Sequence, residues 1–342
     1  MPSPLTTLSL AVLASTRAVV VVSAASCSRA VLQEVTRAYV AAQEAGDASL
    51  LTALVSPHPN QIYLENNGLA DLAKGALAEP LRIDFSRSIH DPDQCAAFTE
   101  IIGASDPHPR VIHTRFVLDP SSTTAPPSNS SSFSSSSWRH LARSSSSSSS
   151  SRASAAEEAV PKASLIESVV TDEGDWLFNA TGTLELNAGE VWDEIPEEER
   201  AATAAEVQAL GDAYFDRFGN ESVVVPWAAE PCYRLEGGLP ARGEVRDGEC
   251  VMVFPSTIIV PYRRYVVDVT LGAASLFIGF PGLDRTQGDA PMPDSHLFRV
   301  EHGKIKYIHT ASACVVKGCG LNATSLSWSR RSLKKMPVSF RG

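Results

Sequence analysis

The sequence predicts an α+β fold made of two tandem units, each a curved antiparallel sheet packed on helices. Three observations support this prediction. Two helical segments carry the same pattern of apolar residues on one face. The predicted strands that follow each helix have nearly the same spacing in the two halves, and each half ends in a pair of predicted strands. A sheet and a helix that bury one face against each other form a unit of this class.

The two helical segments are residues 28–46 and 201–219. Apolar side chains recur in each at the spacing of one helix face. Both faces include an Ala-Tyr pair, which ends at Tyr39 in the first segment and at Tyr214 in the second. We therefore predict one amphipathic helix at the start of each unit. The acidic residues 195–199 contain a proline and are predicted to begin the second helix.

A strand motif repeats after each helix. Arg87 and Asp91 recur as Arg264 and Asp268, and the Ala-Ala pair that follows them recurs as well. We interpret the repeated Arg and Asp as a structural ion pair in each half.

The last hairpin differs between the units. In the second unit a three-residue turn separates its strands, which is typical of a tight hairpin. In the first unit a Ser-rich stretch lies at this point, and more than half of residues 121–154 are serine. Such a stretch cannot bury enough apolar surface to offset its ordering entropy. We predict a disordered insertion at 119–160; the alternative is retained intron sequence.

The N-terminal residues are typical of a secretory signal. Residues 5–22 are apolar and small residues follow, which predicts cleavage near Ala25. Arg17 interrupts the apolar run, so a stable membrane anchor is not expected. A misassigned start codon is the alternative. The predicted organisation is a signal peptide at 1–25, a first domain at 26–194, a second domain at 195–319 and a flexible basic tail at 320–342.

Cysteine and asparagine patterns agree with an extracellular protein. All six cysteines follow the predicted cleavage point, and an even count in a secreted chain indicates disulfides. Cys232 and Cys250 flank a turn-rich stretch and are predicted to pair, a closure worth about 3 kcal/mol. Free buried thiols are the alternative. Asn179 and Asn220 lie in N-x-S/T sequons and are predicted glycosylation sites.

Charge and motifs exclude several functions. The formal net charge of −10 disfavours nucleic-acid binding. Nucleotide-binding, serine-hydrolase and zincin motifs are absent from the sequence, and the eight histidines show no compact ligand spacing. We therefore expect no cofactor and no metal.

Five stretches carry a resemblance to a known family. They are TDEGDWLFNA at 171–180, GDAYFDRF at 211–218, CYRLEGG at 232–238, FPGLDRTQG at 280–288 and PDSHLFR at 293–299. With these stretches the chain resembles an uncharacterised family of secreted fungal proteins, a domain of unknown function. That family is similar in fold to the cone-shaped SnoaL-like polyketide cyclases, ketosteroid isomerase and scytalone dehydratase.

The resemblance implies a cone formed by a curved sheet around helices, with a pocket for a small apolar ligand at its open end. It also suggests that the two halves pack as a pseudo-dimer. Fold alone does not give function. Isomerases, dehydratases and cyclases without cofactors need a His or carboxylate base near a polarised carbonyl.

Candidate residues lie on predicted strands and on one loop. His90 and His113 could meet on the concave face of the first unit; a surface strand edge is the alternative. In the second unit Asp294 could orient His296, Arg285 could bind an oxyanion, and His309 could join them. A loop that only closes the sheet is the alternative.

Two functions remain open from the sequence. The first is a cofactor-independent isomerase, dehydratase or cyclase that acts on a small polyketide-like molecule by acid–base chemistry. The second is a non-catalytic secreted protein that binds a small molecule or a host partner.

Overall fold

The computed structural model describes residues 27–57, 61–123, 161–201, 203–281, 291–316 and 318–319. Within these residues the fold is α+β, with three α-helices and two six-stranded sheets. The predicted signal peptide and basic tail lie outside the described residues, and so does most of the Ser-rich insertion.

The first half runs from helix α1 (Arg29–Ala45) through six strands to helix α2 (Ala180–Ala188). Short 3₁₀ turns lie at Ala48–Leu51 and Ala76–Ala78. The strands are β1 (Ile62–Glu65), β2 (Gly68–Leu69), β3 (Phe85–Asp91), β4 (Ala96–Gly103), β5 (Arg110–Thr123) and β6 (Pro161–Thr171).

Helix α1 has clear sequence signals at both ends. The Ser28 hydroxyl accepts a hydrogen bond from the Val31 amide, as an N-cap does. At the other end Gly46 takes the left-handed conformation (φ +65°), which suits glycine. Leu32 and Tyr39 on the predicted apolar face are buried.

The second half also begins with a long helix, which eight strands follow within the described ranges. A 3₁₀ turn at Glu197–Glu199 precedes helix α3 (Ala204–Gly219). The strands are β7 (Tyr233–Glu236), β8 (Leu239–Arg242), β9 (Glu244–Arg246), β10 (Glu249–Val251), β11 (Arg264–Asp268), β12 (Ala273–Phe280), β13 (Met292–Glu301) and β14 (Lys304–Ser312).

The predicted start of the second long helix at residues 195–199 is wrong. Those glutamates form the separate 3₁₀ turn, and the backbone at Arg200 is extended. Helix α3 begins at Ala204, because Thr203 and Glu206 form a capping box in which each side chain accepts from the other residue's backbone amide.

The two sheets have the same topology. Their orders are β2-β1-β6-β5-β4-β3 and β8-β7-β14-β13-β12-β11, and a separate hairpin joins β9 to β10. Both sheets are mixed, which corrects the prediction of antiparallel sheets: β1 runs parallel to β6 and β7 runs parallel to β14. The four strands β3–β6, and likewise β11–β14, form an antiparallel meander. The short first strand of each half lies beside the last strand of this meander and runs parallel to it.

The strand registers confirm the repeat that the sequence indicates. Arg87 lies opposite Glu100 and Arg264 lies opposite Phe277, at the same position in β3 and β11. The predicted tight turn of the last hairpin is also present, with β13 and β14 joined across Glu301 and Lys304.

The Ser-rich insertion lies between the paired strands β5 and β6. Strand β5 continues through residues 119–123, which the sequence assigned to the insertion, and pairs Asp119 with Lys162. Residues 124–160 are outside the described part.

The fold has four layers. Helix α1 packs on one face of the first sheet and helix α3 on the corresponding face of the second, and we call these two faces the helix-facing sides. The opposite faces pack on each other through a third apolar cluster that includes Phe98 and Val169 from the first sheet and Phe277 and Leu297 from the second.

Two aspartates join the sheets reciprocally. Asp91 Oδ2 accepts a hydrogen bond from the Val267 amide, and Asp268 Oδ2 accepts one from the His90 amide, both at 2.9 Å. The predicted Arg87–Asp91 and Arg264–Asp268 pairs are therefore wrong. In each pair the Arg and the Asp share a face of the strand, but four residues of extended backbone separate them by about 13 Å. Arg87 pairs instead with Glu100, and Arg264 pairs with Glu167 at 2.6 Å.

Three disulfides link Cys27 to Cys95, Cys232 to Cys250 and Cys314 to Cys319. The pair proposed from the sequence is thus present. Disulfides are typical of oxidising compartments and fit an extracellular protein. In the described part of the chain, no helix has the length and apolar character to cross a membrane.

Candidate functional site

The sheet registers separate the candidate histidines of the first half. His90 lies opposite Ala97, and His113 lies opposite Glu100. Because side chains alternate between faces, Ala97 and Glu100 point to opposite sides of β4. His90 contacts Thr36 Oγ1 of helix α1 at 3.1 Å, whereas His113 contacts Ser295 Oγ of the other sheet at 3.1 Å. The expected meeting of the two histidines is therefore wrong.

The candidates of the second half are separated in the same way. Asp294 and His296 share the helix-facing side of β13. His309 lies opposite Leu297, so it faces the other sheet and does not join them. Arg285 lies outside the described residues.

Asp294 and His296 form a close buried contact. Asp294 Oδ1 lies 2.6 Å from His296 Nδ1, and both side chains are at most 3% exposed. The geometry of this contact is not that of a hydrogen bond, so neither Asp294 Oδ1 nor His296 Nδ1 has a hydrogen-bond partner among the described residues. The other carboxylate oxygen, Oδ2, accepts a hydrogen bond from Ser312 Oγ at 2.8 Å.

Aromatic rings surround the His296 imidazole. The ring centres of Tyr214, Phe215 and Phe298 lie 5.4, 4.8 and 6.0 Å from it. The Tyr214 hydroxyl is buried, with no hydrogen-bond partner among the described residues. Burial raises the pKa of Tyr214 well above its ordinary value, Arg234 opposes the rise, and the nearby carboxylates add to it. The hydroxyl therefore stays protonated and can donate.

A charged pair completes this cluster. Arg234 and Glu236 on β7 form an ion pair. Thr310 Oγ1 accepts a hydrogen bond from the Gly237 amide at 3.1 Å and lies 3.5 Å from Glu236 Oε2. We call Asp294, His296 and Tyr214 the helix-side cluster, with Arg234 and Glu236 as its border.

The helix-side cluster has the groups that acid–base chemistry needs. An imidazole beside a carboxylate can take up or release a proton, and a neutral phenol can donate to a developing oxyanion. Among the described residues, no three His, Cys, Asp or Glu side chains are arranged to hold a metal ion.

A second buried network lies between the sheets, which we call the inter-sheet network. His309 Nδ1 lies 3.1 Å from Glu100 Oε1, and His309 Nε2 lies 2.7 Å from Glu190 Oε2. Arg87 pairs with Glu100 at 3.1 Å, and His113 Nε2 lies 3.4 Å from it. The network joins both sheets and the segment after helix α2.

The charges of this network support one another. Burial lowers the pKa of His309, but the carboxylates of Glu100 and Glu190 outweigh it and raise that pKa to about 9. Burial raises the pKa of Glu100, but His309, His113 and Arg87 outweigh it and hold that pKa well below the ordinary value. His309 is therefore an imidazolium between two carboxylates at neutral pH.

Sequence reasoning missed Glu100, Glu190 and the role of Tyr214. Glu100 had a signal, because it is a lone charge in the otherwise uncharged strand Ala96–Gly103. Glu190 had none, because its partners come from distant segments.

The two predicted glycosylation sites differ in their surroundings. Asn179 is half-buried and caps helix α2, with its Oδ1 accepting from the Gly182 amide. Its Nδ2 donates to the Gly238 carbonyl at 3.4 Å. Asn220 is exposed after helix α3. Glycosylation stays a prediction at both positions.

Comparison with known proteins concerns the second half. A family model described as a domain of unknown function (DUF8021) matches residues 200–312. This range runs from just before helix α3 to the end of β14 and includes the helix-side cluster. The chain is thus similar, over this range, to an uncharacterised family. Comparisons with curated proteins and with solved structures found no match.

Proposed function

We propose that this protein is an exported, cofactor-independent enzyme, an isomerase, dehydratase or cyclase that acts on a small polyketide-like molecule. The helix-side cluster of the second half is the proposed catalytic site. The observation that carries the proposal is the buried contact of Asp294 with His296, next to a Tyr214 hydroxyl that has no partner among the described residues.

Unpartnered buried polar atoms favour a functional interpretation. Each such group costs about 1–3 kcal/mol of stability, so most are paired in folded proteins. Three of them lie together here, on Tyr214, Asp294 and His296. A bound ligand with a carbonyl oxygen would supply an acceptor for the Tyr214 hydroxyl, while Asp294 and His296 already lie 2.6 Å from each other.

Each residue has a distinct proposed role. His296 takes the proton from carbon, Asp294 stabilises the resulting imidazolium, and the Tyr214 hydroxyl donates to the oxygen on which negative charge develops. The surrounding Phe215 and Phe298 rings exclude water, which strengthens these interactions.

The resemblance to the SnoaL-like cone fold supports the same site. In each half one long helix packs on one face of a sheet, and the helix-side cluster lies on that face. Fungal origin and membership of the cone-shaped class are part of this proposal.

Proton abstraction can be tested without knowing the substrate. Wild-type protein, incubated in D₂O with 2-tetralone and related cyclic ketones, should accelerate exchange of the proton next to the carbonyl, followed by NMR. His296→Gln should reduce the acceleration by about 100-fold or more. Asp294→Asn should reduce it less, because the imidazole remains.

The matched control is His90→Gln. His90 is also a buried histidine, but it faces helix α1 of the first half. It should leave the exchange rate unchanged. Equal rates for wild type and His296→Gln would contradict the proposal, and binding without exchange would favour the alternative of a non-catalytic binding protein.

Export is supported by the three disulfides and by the apolar N-terminal residues 5–22. N-terminal sequencing of protein recovered from culture medium should place the first residue close to Cys27. Recovery only from within cells would contradict export.

A further inference from the structure

A cleft of about 650 Å³ lies apart from the helix-side cluster. It opens where the segment after helix α2 meets β7, β9 and β14. A cleft of this size suits a small ligand. The side chains that the argument uses are those of Glu190, Tyr233, Arg242, Val245 and Tyr307.

The walls of the cleft are fixed by contacts behind them. Cys232 lines the cleft and is tied to Cys250 by a disulfide. The Tyr307 ring stacks on Trp192, with ring centres 6.0 Å apart. A preformed site loses less entropy when a ligand binds.

Glu190 is a rigid acceptor at this cleft. Its side chain is 2% exposed, and its Oε2 accepts hydrogen bonds from His309 at 2.7 Å and Trp192 at 2.8 Å. Its Oε1 lies 3.4 Å from the Tyr233 hydroxyl, a distance longer than that of an ordinary O–H···O hydrogen bond. Oε1 therefore retains capacity to accept from a ligand.

The balance of charge favours a neutral ligand. The Glu190 carboxylate is already paired with the His309 imidazolium. Glu230 and Arg242, of opposite sign, are both exposed at the cleft. A strongly charged ligand would find no net opposite charge, whereas hydroxyl groups could donate to Glu190 and accept from Arg242.

We propose that this cleft binds a neutral polyhydroxylated ring, a sugar unit, with the aromatic rings of Tyr233 and Tyr307 against its C–H face and Glu190 as acceptor for its hydroxyls. A sugar ring has an apolar face and a polar rim, and the cleft offers both kinds of surface. This site does not depend on the proposed catalysis in the second half.

The test is saturation-transfer NMR on the full chain with methyl β-D-glucopyranoside, methyl α-D-mannopyranoside and N-acetylglucosamine. We expect transfer to at least one of the three. Val245→Trp should weaken that binding by at least about tenfold, because Val245 is exposed and lines the cleft. Glu190→Gln should also weaken it.

Val251→Trp is the matched control. Val251 is likewise exposed, on the strand paired with that of Val245, but it alternates to the other face of this hairpin. It should retain wild-type transfer. Absence of transfer to all three sugars, or equal transfer in Val245→Trp and Val251→Trp, would overturn the proposal.

Discussion

The two halves share a fold and differ in what their helix-facing sides contain. In the first half the Tyr39 hydroxyl contacts Thr114 Oγ1 at 2.7 Å, and Thr114 contacts Ser168 at 2.8 Å. In the second half His296 occupies the position that Thr114 has in the first. Thr114 on β5 lies opposite Ser168 on β6, and His296 on β13 lies opposite Thr310 on β14. The comparison teaches that one framework supports a chain of bonded hydroxyls around Tyr39 in the first half, and around Tyr214 in the second half a carboxylate–imidazole contact whose facing atoms have no hydrogen-bond partner among the described residues.

The faces between the sheets differ in a similar way. Glu167 lies in the first sheet where His309 lies in the second. Glu167 is enclosed by Arg115 at 3.0 Å and Arg264 at 2.6 Å, a closed ion triad. His309 instead joins Glu100 to Glu190, which reaches the cleft. Function in such a duplicated fold depends on individual sites and not on the framework.

The largest effect is expected from Glu100→Gln. This change leaves the buried charges of His309 and Arg87 without their shared partner, and should lower the free energy of unfolding by about 3–5 kcal/mol. Glu167→Gln in the first sheet should cost less, because the Arg264 side chain is 32% exposed and can be hydrated. Urea unfolding of both variants measures the difference. A larger loss for Glu167→Gln would break the comparison.

Next in size are the disulfides of the two halves. Replacing Cys27 and Cys95 by alanine opens a loop with a sequence separation of 68, against 18 for Cys232 and Cys250. Loop-closure entropy predicts losses of about 4 and about 3 kcal/mol. Thermal unfolding of the two double variants tests this order, and the reverse order would show that contacts other than the loop dominate.

The inter-sheet network should make stability depend on pH. The pKa of His309 is about 9 in the folded protein, against 6.5 ordinarily. Because the folded pKa is the higher one, the stabilisation is complete below pH 6.5 and is lost as pH rises through 9; it amounts to about 3 kcal/mol. Urea unfolding between pH 6 and 10 should show this loss. His309→Gln should flatten the profile in that window, and an unchanged slope would contradict the assignment.

The smallest effect sharpens the comparison between the tyrosines. Tyr39→Phe removes a satisfied hydrogen bond and should cost about 1 kcal/mol. Tyr214→Phe removes a hydroxyl without a partner among the described residues and should cost nothing or stabilise the protein. Chemical unfolding of the two variants is the measurement. Equal losses would mean that the Tyr214 hydroxyl is bonded in solution.

Much of the framework could be predicted from the sequence. The repeated apolar helix faces and the recurrence of Arg87 and Asp91 as Arg264 and Asp268 indicated the two sheets and their shared register. The parallel strand Ile62–Glu65 could not be predicted, because four residues carry too little periodicity to show their partner.

The candidate site was predicted only in part. Asp294 and His296, two residues apart on one strand, necessarily share a face, and the structure brings them into contact. His90, His113 and His309 required the strand register to assign a face, which the sequence does not contain. His309 has Glu100 and Glu190 as partners, and these two residues reach it only through the packing of distant segments.

The reciprocal aspartates have a consequence for assembly. Asp91 and Asp268 each accept a hydrogen bond from a main-chain amide of the opposite half, and Asp268 also pairs with the Arg29 guanidinium of that half at 2.8 Å. The same contacts would form if the opposite half belonged to another molecule. An exchange of halves between two chains, as in domain swapping, would keep these contacts between the aspartates and the opposite half.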